Sequence, residues 1–92
     1  MKNTTEKRLN EIKARCNEAR GGPWTSFIEG RDFTGGSSVI RIGTADSVEE
    51  DLYLVGDEAK VPSADFDFIA HARQDIPFLL DEIERLNQQL KK

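Results

Sequence analysis

Apolar residues recur along the chain with changing periods, and each period predicts an element. Leu9, Ile12, Cys16 and Ala19 stand three and four apart among charged residues, which marks one narrow face of an α-helix. Thr4 or Thr5 offers a hydroxyl to cap its start. Gly21-Gly22-Pro23 ends it, because glycine accepts a left-handed C-terminal conformation and proline cannot continue a helix. From Trp24 onward the period shortens to that of strands. Trp24–Glu29, Ser38–Thr44 and Asp51–Val55 are the predicted strands, and the glycine-rich connection 30–37 between the first two is long for a tight hairpin. By alternation Ile40, Ile42, Leu52 and Leu54 share one face, directed toward the helices, and Val39, Arg41, Tyr53 and Val55 share the other. The second face is too apolar for plain solvent surface and too polar for core, a mixture suited to a partner or a ligand.

Residues 56–63 form a polar turn, after which Ser63 can cap a second helix with Asp65 and Asp67 in its first turn. Phe66, Phe68, Ile69 and Ala72 are its apolar residues. Asp75 followed by Pro77 predicts a kink or a new start, since proline removes a hydrogen bond and crowds the preceding turn. Ile76, Leu79, Ile83, Leu86 and Leu90 then follow at spacings of 3, 4, 3 and 4, the a/d seam of about two heptads. The whole pattern predicts an α+β fold in a single domain, residues 1–92. An N-terminal helix leads into a small three-stranded antiparallel sheet, and C-terminal helices follow with a kink near Pro77.

Size and composition add a reason for the seam. A domain of this length buries only about 60–65% of its unfolded surface, so its core is thin and needs support from a disulfide, a metal or a partner. Cys16 is the only cysteine and His71 the only histidine, which excludes an internal disulfide and His/Cys zinc spacing. Self-association through Ile76, Leu79, Ile83, Leu86 and Leu90 is therefore the expected support. No apolar run approaches the roughly 18 residues of a membrane span, and Met-Lys-Asn-Thr-Thr-Glu lacks the apolar core of a signal peptide. A cytoplasmic protein that does not engage membranes is expected.

Charge is unevenly spread. Residues 1–20 carry six basic and three acidic side chains, a balance of +3, whereas residues 46–67 carry eight acids against Lys60, a balance of −7. The acidic stretch argues against general nucleic-acid binding, which needs a cationic face.

Two segments carry a resemblance. Gly22-Pro23-Trp24 and Asp67-Phe68-Ile69-Ala70-His71-Ala72-Arg73-Gln74-Asp75-Ile76-Pro77 resemble the shared pattern of small phage and prophage early-region proteins of the Ead type. That pattern has a helix ending in Gly-Pro-Trp, a short β region, Phe-Ile-Ala…Ala-Arg…Ile-Pro, and a Leu/Glu-rich terminal helix. The resemblance covers most of the chain and implies a phage origin and residence in the host cytosol. Phage proteins of similar size include oligomeric sponges for nucleotide immune signals, as in the Sequestin and Lockin groups, and the resemblance implies that activity as an expectation.

The side chains suited to such a ligand are Trp24, Phe33 and Tyr53 for stacking on a base and Arg31, Arg41 and Arg73 for phosphate. Each has a plainer reading: Trp24 as a core anchor, Arg31 and Phe33 as members of a surface loop, Arg41 and Arg73 as ion-pair partners. The glycine-rich connection is not a P-loop, because Gly-Lys-Ser/Thr is missing. His71, four residues from both Asp67 and Asp75, is either an ion-pairing residue or the base of a small phosphodiesterase. Cys16, on the apolar stripe, reads as a buried structural thiol. The leading expectation is a homo-oligomer, with no cofactor and no metal, that sequesters a cyclic or modified ADP-ribose without cleaving it and so counters bacterial defence. The alternative is a protein-interaction module that inhibits or redirects a host protein through the acidic stretch 46–58.

Overall fold

The computed structural model describes residues 2–57 and 60–91, with side chains from Thr4 onward. Helix α1 spans Lys2–Glu18, strands β1, β2 and β3 span Trp24–Phe27, Val39–Thr44 and Ser47–Leu52, and helix α2 spans Ser63–Leu90. The three strands form one antiparallel sheet in the order β1-β2-β3. The fold is α+β, as the hydrophobic pattern predicts. No helix among the described residues is long and apolar enough to cross a membrane. The chain separates into two compact units: residues 1–20 with 75–92, and residues 21–74.

In the sheet unit, the register sets the faces. Trp24 lies opposite Ile42, Ser26 opposite Ile40, and Ile40 opposite Leu52, so these side chains share one face. Ile40 and Ile42 are fully buried there. Ile28, Phe66 and Ala70 complete a cluster with Ile40, and Trp24, Leu52, Leu54 and Val61 pack against it. Phe66 and Ala70 are four apart on α2, so one stripe of its first turns meets the sheet. Removing this apolar surface from water is the main force holding the unit together. The edge strand β1 is also fixed to α2 by polar bonds. The Gln74 side chain accepts a bond from Trp24 N at 2.9 Å and donates to Trp24 O at 3.2 Å, acting as a short substitute for a fourth strand. A side chain on Gly22 would stand 3.1 Å from the Gln74 amide oxygen, so a larger residue there would press on this bond pair.

Several boundaries differ from expectation. Helix α1 begins at Lys2, placing Thr4 and Thr5 inside its first turns rather than at its cap. It ends at Glu18, and neither Gly21 nor Gly22 adopts positive φ. Strand β3 starts four residues earlier than Asp51, because the chain reverses directly through Ala45-Asp46. Its first residues are exposed on both faces, so no burial period marks them. Val39 is buried, contrary to its placing on a half-apolar surface, whereas Tyr53 and Val55 are exposed as that reading required. Instead of restarting near Pro77, α2 continues through it as one helix. A proline costs a helix one hydrogen bond and local crowding, and turns on either side carry the helix on.

In the helical unit, Leu9, Ile12 and Cys16 are half-buried along one face of α1, so the Cys16 thiol is only partly covered. The seam residues Ile76, Leu79, Ile83, Leu86 and Leu90 are between 37% and 84% exposed.

Candidate functional site

The six side chains expected to hold a ligand are not gathered into one place. Trp24 faces the core, and its indole Nε1 donates to Gly21 O at 3.2 Å. Arg31 belongs to a hydrogen-bonded turn rather than an open loop: Arg31 N and Asp32 N both donate to Ile28 O, and Ile28 N donates to the Asp32 carboxylate at 2.8 Å. Phe33 is half-buried, its ring lying beside Gly36. Arg41 stands on the opposite face of the sheet, with its guanidinium 5.2 Å from the Phe27 ring centre. Arg73 is half-buried near Gly22, and its Nε is buried without a hydrogen-bond partner. Only Tyr53 sits at the mouth of a cleft with open polar groups around it.

Two of the arginines are already engaged by carboxylates. Arg31 makes a two-pronged bond to Asp67, at 2.9 and 3.1 Å, and bonds Asp32 as well. Both partners raise the Arg31 pKa, Asp67 more than Asp32. Arg41 bonds both oxygens of Asp51 across the strand pair, at 2.7 and 2.9 Å, which raises the Arg41 pKa and lowers that of Asp51. These bonds engage Arg31 and Arg41, two of the three arginines that the sequence offers to phosphate; Arg73 keeps an unpartnered Nε.

The Asp67 carboxylate ties α2 to β1 and to the turn that follows it. It accepts from Ser26 Oγ at 2.5 Å and from Arg31. With Trp24, Gln74 and His71 it lines a cleft of about 460 Å3. Arg31, then Ser26, hold its pKa down to about 2. His71 thus shares a face with Asp67, while Asp75 does not line that cleft. The depression sets a pH dependence. The folded carboxyl releases its proton more readily than the unfolded one, so the stability it supplies is complete above the usual aspartate range and is lost as pH falls through about 4 toward 2. Asp32 and Asp51 are shifted in the same direction. We expect unfolding of the sheet unit, followed by Trp24 fluorescence, to become steeply easier below pH 4. Asp67→Asn should be weaker at neutral pH and show a shallower loss in acid. An unchanged acid slope in Asp67→Asn would contradict this assignment.

A second cleft, of about 380 Å3, has the character of a ligand site. Phe66, Leu54 and Val61 supply its apolar lining, and Glu29, Gly36, Ser37, Ser38, Tyr53 and Lys60 its polar part. The volume lies at the lower end of small-molecule pockets, which span roughly 300–1,000 Å3. Tyr53 is 64% exposed, so its ring is open to a stacking partner. Among the described residues no hydrogen bond or ion pair engages the Tyr53 hydroxyl, the Ser37 hydroxyl or the Lys60 ammonium. Glu29 is occupied by Gly35 N at 3.4 Å, and Ser38 Oγ accepts from Glu29 N at 3.0 Å. The other cleft differs: Arg31, Asp67, Ser26 and Gln74 are all taken by one another or by Trp24. Sequence reasoning singled out Tyr53 and the glycine-rich connection that contains Ser37, but missed Lys60, whose only signal is its place beside turn residues.

Among the described residues, no group of three or more His, Cys, Asp and Glu side chains could hold a metal ion. Comparison of the chain with protein-family models, with curated proteins and with solved structures finds no match.

Proposed function

We infer that the protein binds a small nucleotide-derived ligand without transforming it, in the cleft beside Tyr53. The observation that carries this reading is an exposed aromatic ring over an apolar floor, next to a glycine-serine rim and a lysine that no described carboxylate neutralises. Stacking of a base on an aromatic ring is worth roughly 1–3 kcal/mol. Lys60 supplies the charge for a phosphate, and the Ser37 hydroxyl a further donor. Arg31 and Arg41, the phosphate contacts expected from sequence, would have to give up Asp67 and Asp51, so Lys60 takes that role here. Sequestration of a cyclic or modified ADP-ribose is the activity that the phage-protein resemblance adds to this reading.

A thermal-shift panel of ADP-ribose, cyclic ADP-ribose isomers and cyclic dinucleotides tests it. At least one should raise the melting temperature by linkage. Tyr53→Ala, which removes an exposed ring, should keep the fold and weaken binding by about 5- to 150-fold, the equivalent of one stacked base. Lys60→Ala should weaken phosphate-bearing ligands and spare the parent nucleoside.

One observation favours a second reading, a module that contacts another protein. Among the described residues β3 pairs as a strand only with β2, and it carries the exposed Glu49. An open edge can accept an extended peptide as an added strand, and this one would select a basic segment. Binding of a lysine-rich peptide with no response to any nucleotide would favour that reading.

A further inference from the structure

The helical unit leaves its own apolar surface open, and its charges point to what covers that surface. Ile76, Leu79, Ile83, Leu86 and Leu90 repeat at a/d spacing, and all are more than a third exposed with α1 in place. Phe78 adds a further ring, 65% exposed. The apolar stripe of α1, Leu9, Ile12 and Cys16, is only half-buried. An amphipathic helix in water gains most of its stability from packing that stripe, and here the chain alone does not finish the task.

Helix α1, residues 2–18, carries +2, and residues 75–90 of α2 carry Asp75, Asp81, Glu82 and Glu84 against Arg85, or −3, before Lys91 and Lys92 follow. Glu82 is paired with Arg85 on its own helix; Asp81 and Glu84 are exposed. On α1, Lys7 and Lys13 are exposed likewise. One helix of the unit is basic and the other acidic, and a second copy presents the same two surfaces.

We propose that a second copy of this chain covers the Ile76–Leu90 seam, the two helical units closing into a four-helix bundle in which α1 of each copy lies beside α2 of the other. Four amphipathic helices bury their stripes in a shared core, which two cannot do. Basic α1 against acidic α2 satisfies both copies at once and fixes the pairing. The inference is independent of the cleft beside Tyr53, which lies wholly within residues 21–74.

Sedimentation equilibrium of the full chain tests the proposal. The wild type should run as a dimer at tens of micromolar. Leu79→Glu with Leu86→Glu should run as a monomer, while fluorescence of Trp24, the single tryptophan, reports an unchanged sheet unit. Charge reversal provides a second test that does not depend on that variant folding well. One chain carries Lys7→Glu and Lys13→Glu, the other Asp81→Lys and Glu84→Lys. Each alone should dimerise at least tenfold more weakly than the wild type, and an equimolar mixture should restore the dimer as a heterodimer. A monomeric wild type at 100 micromolar, a dimer that survives the double glutamate variant, or failure of the mixture to form the heterodimer would overturn the proposal.

Discussion

Alanine at Gly43 should destabilise the sheet unit by about 3 kcal/mol or more, the upper range of single substitutions. Gly43 has φ of +113°, a backbone conformation that costs a side-chain-bearing residue roughly 1–3 kcal/mol. The register of β2 and β3 slips between Ile42 and Gly43, so that Glu49 is the extra residue of a bulge. That bulge folds the β3 backbone onto Gly43: an added Cβ would overlap the Ser47 carbonyl and stand 2.9 Å from Glu49 N and 3.1 Å from Val48 Cα. These are backbone atoms of a paired strand, and they cannot rotate aside as a side chain would. Gly35 is the control, because its φ is +82° but nothing lies within 4 Å of its Cβ position. Gly35→Ala should cost about 1 kcal/mol, the conformational part alone. Denaturant unfolding followed at Trp24 measures both. Equal losses at the two glycines would show that the contact with β3 contributes nothing.

Phe66→Ala should cost about 3–5 kcal/mol, the range for truncating a buried phenylalanine. Phe66 is the largest α2 side chain in the buried cluster, where it meets Ile28 and Ile40. Its loss removes apolar contact and leaves a void under the first turns of α2. Against a typical domain stability of roughly 5–15 kcal/mol, that is enough to populate the unfolded sheet unit. Phe66 also lines the cleft beside Tyr53. Phe66→Leu, which retains most of the volume, should therefore keep the fold while altering ligand affinity. A loss below 1 kcal/mol in Phe66→Ala would mean that α2 is held to the sheet mainly by Gln74 and Asp67 rather than by apolar burial.

The parts of this fold legible in the sequence are those governed by a local period. The stripe Leu9, Ile12 and Cys16 marked α1, and Ile40 and Ile42 marked the buried face of β2. Strand β3 was displaced because Val48-Glu49-Glu50 has no alternation: an exposed edge strand needs no buried face. Pro77 hid the length of α2, since its local penalty is visible in sequence and the support from flanking turns is not. The site was less legible still. Whether an arginine is available to a phosphate depends on partners brought close by the fold, and Asp67 lies 36 residues from Arg31, as Gln74 lies 50 from Trp24. No spacing rule links them. Asp51 is nearer to Arg41 in sequence, yet their pairing follows from a register that the β3 bulge helps to set. Tyr53 lies off the buried face because residues 52–55 do alternate, half-buried Leu52 and Leu54 against exposed Tyr53 and Val55.

The central claim is that the cleft beside Tyr53 holds a nucleotide-derived ligand intact. Isothermal titration calorimetry of the wild type and Tyr53→Ala against cyclic ADP-ribose isomers, other modified ADP-ribose species and cyclic dinucleotides tests it most directly. The ligand is then released by heat and identified by chromatography. The account predicts saturable binding of at least one phosphate-bearing member, recovery of that molecule unaltered, and a large loss of affinity in folded Tyr53→Ala. No binding across the panel, or recovery of a chemically changed product, would contradict it.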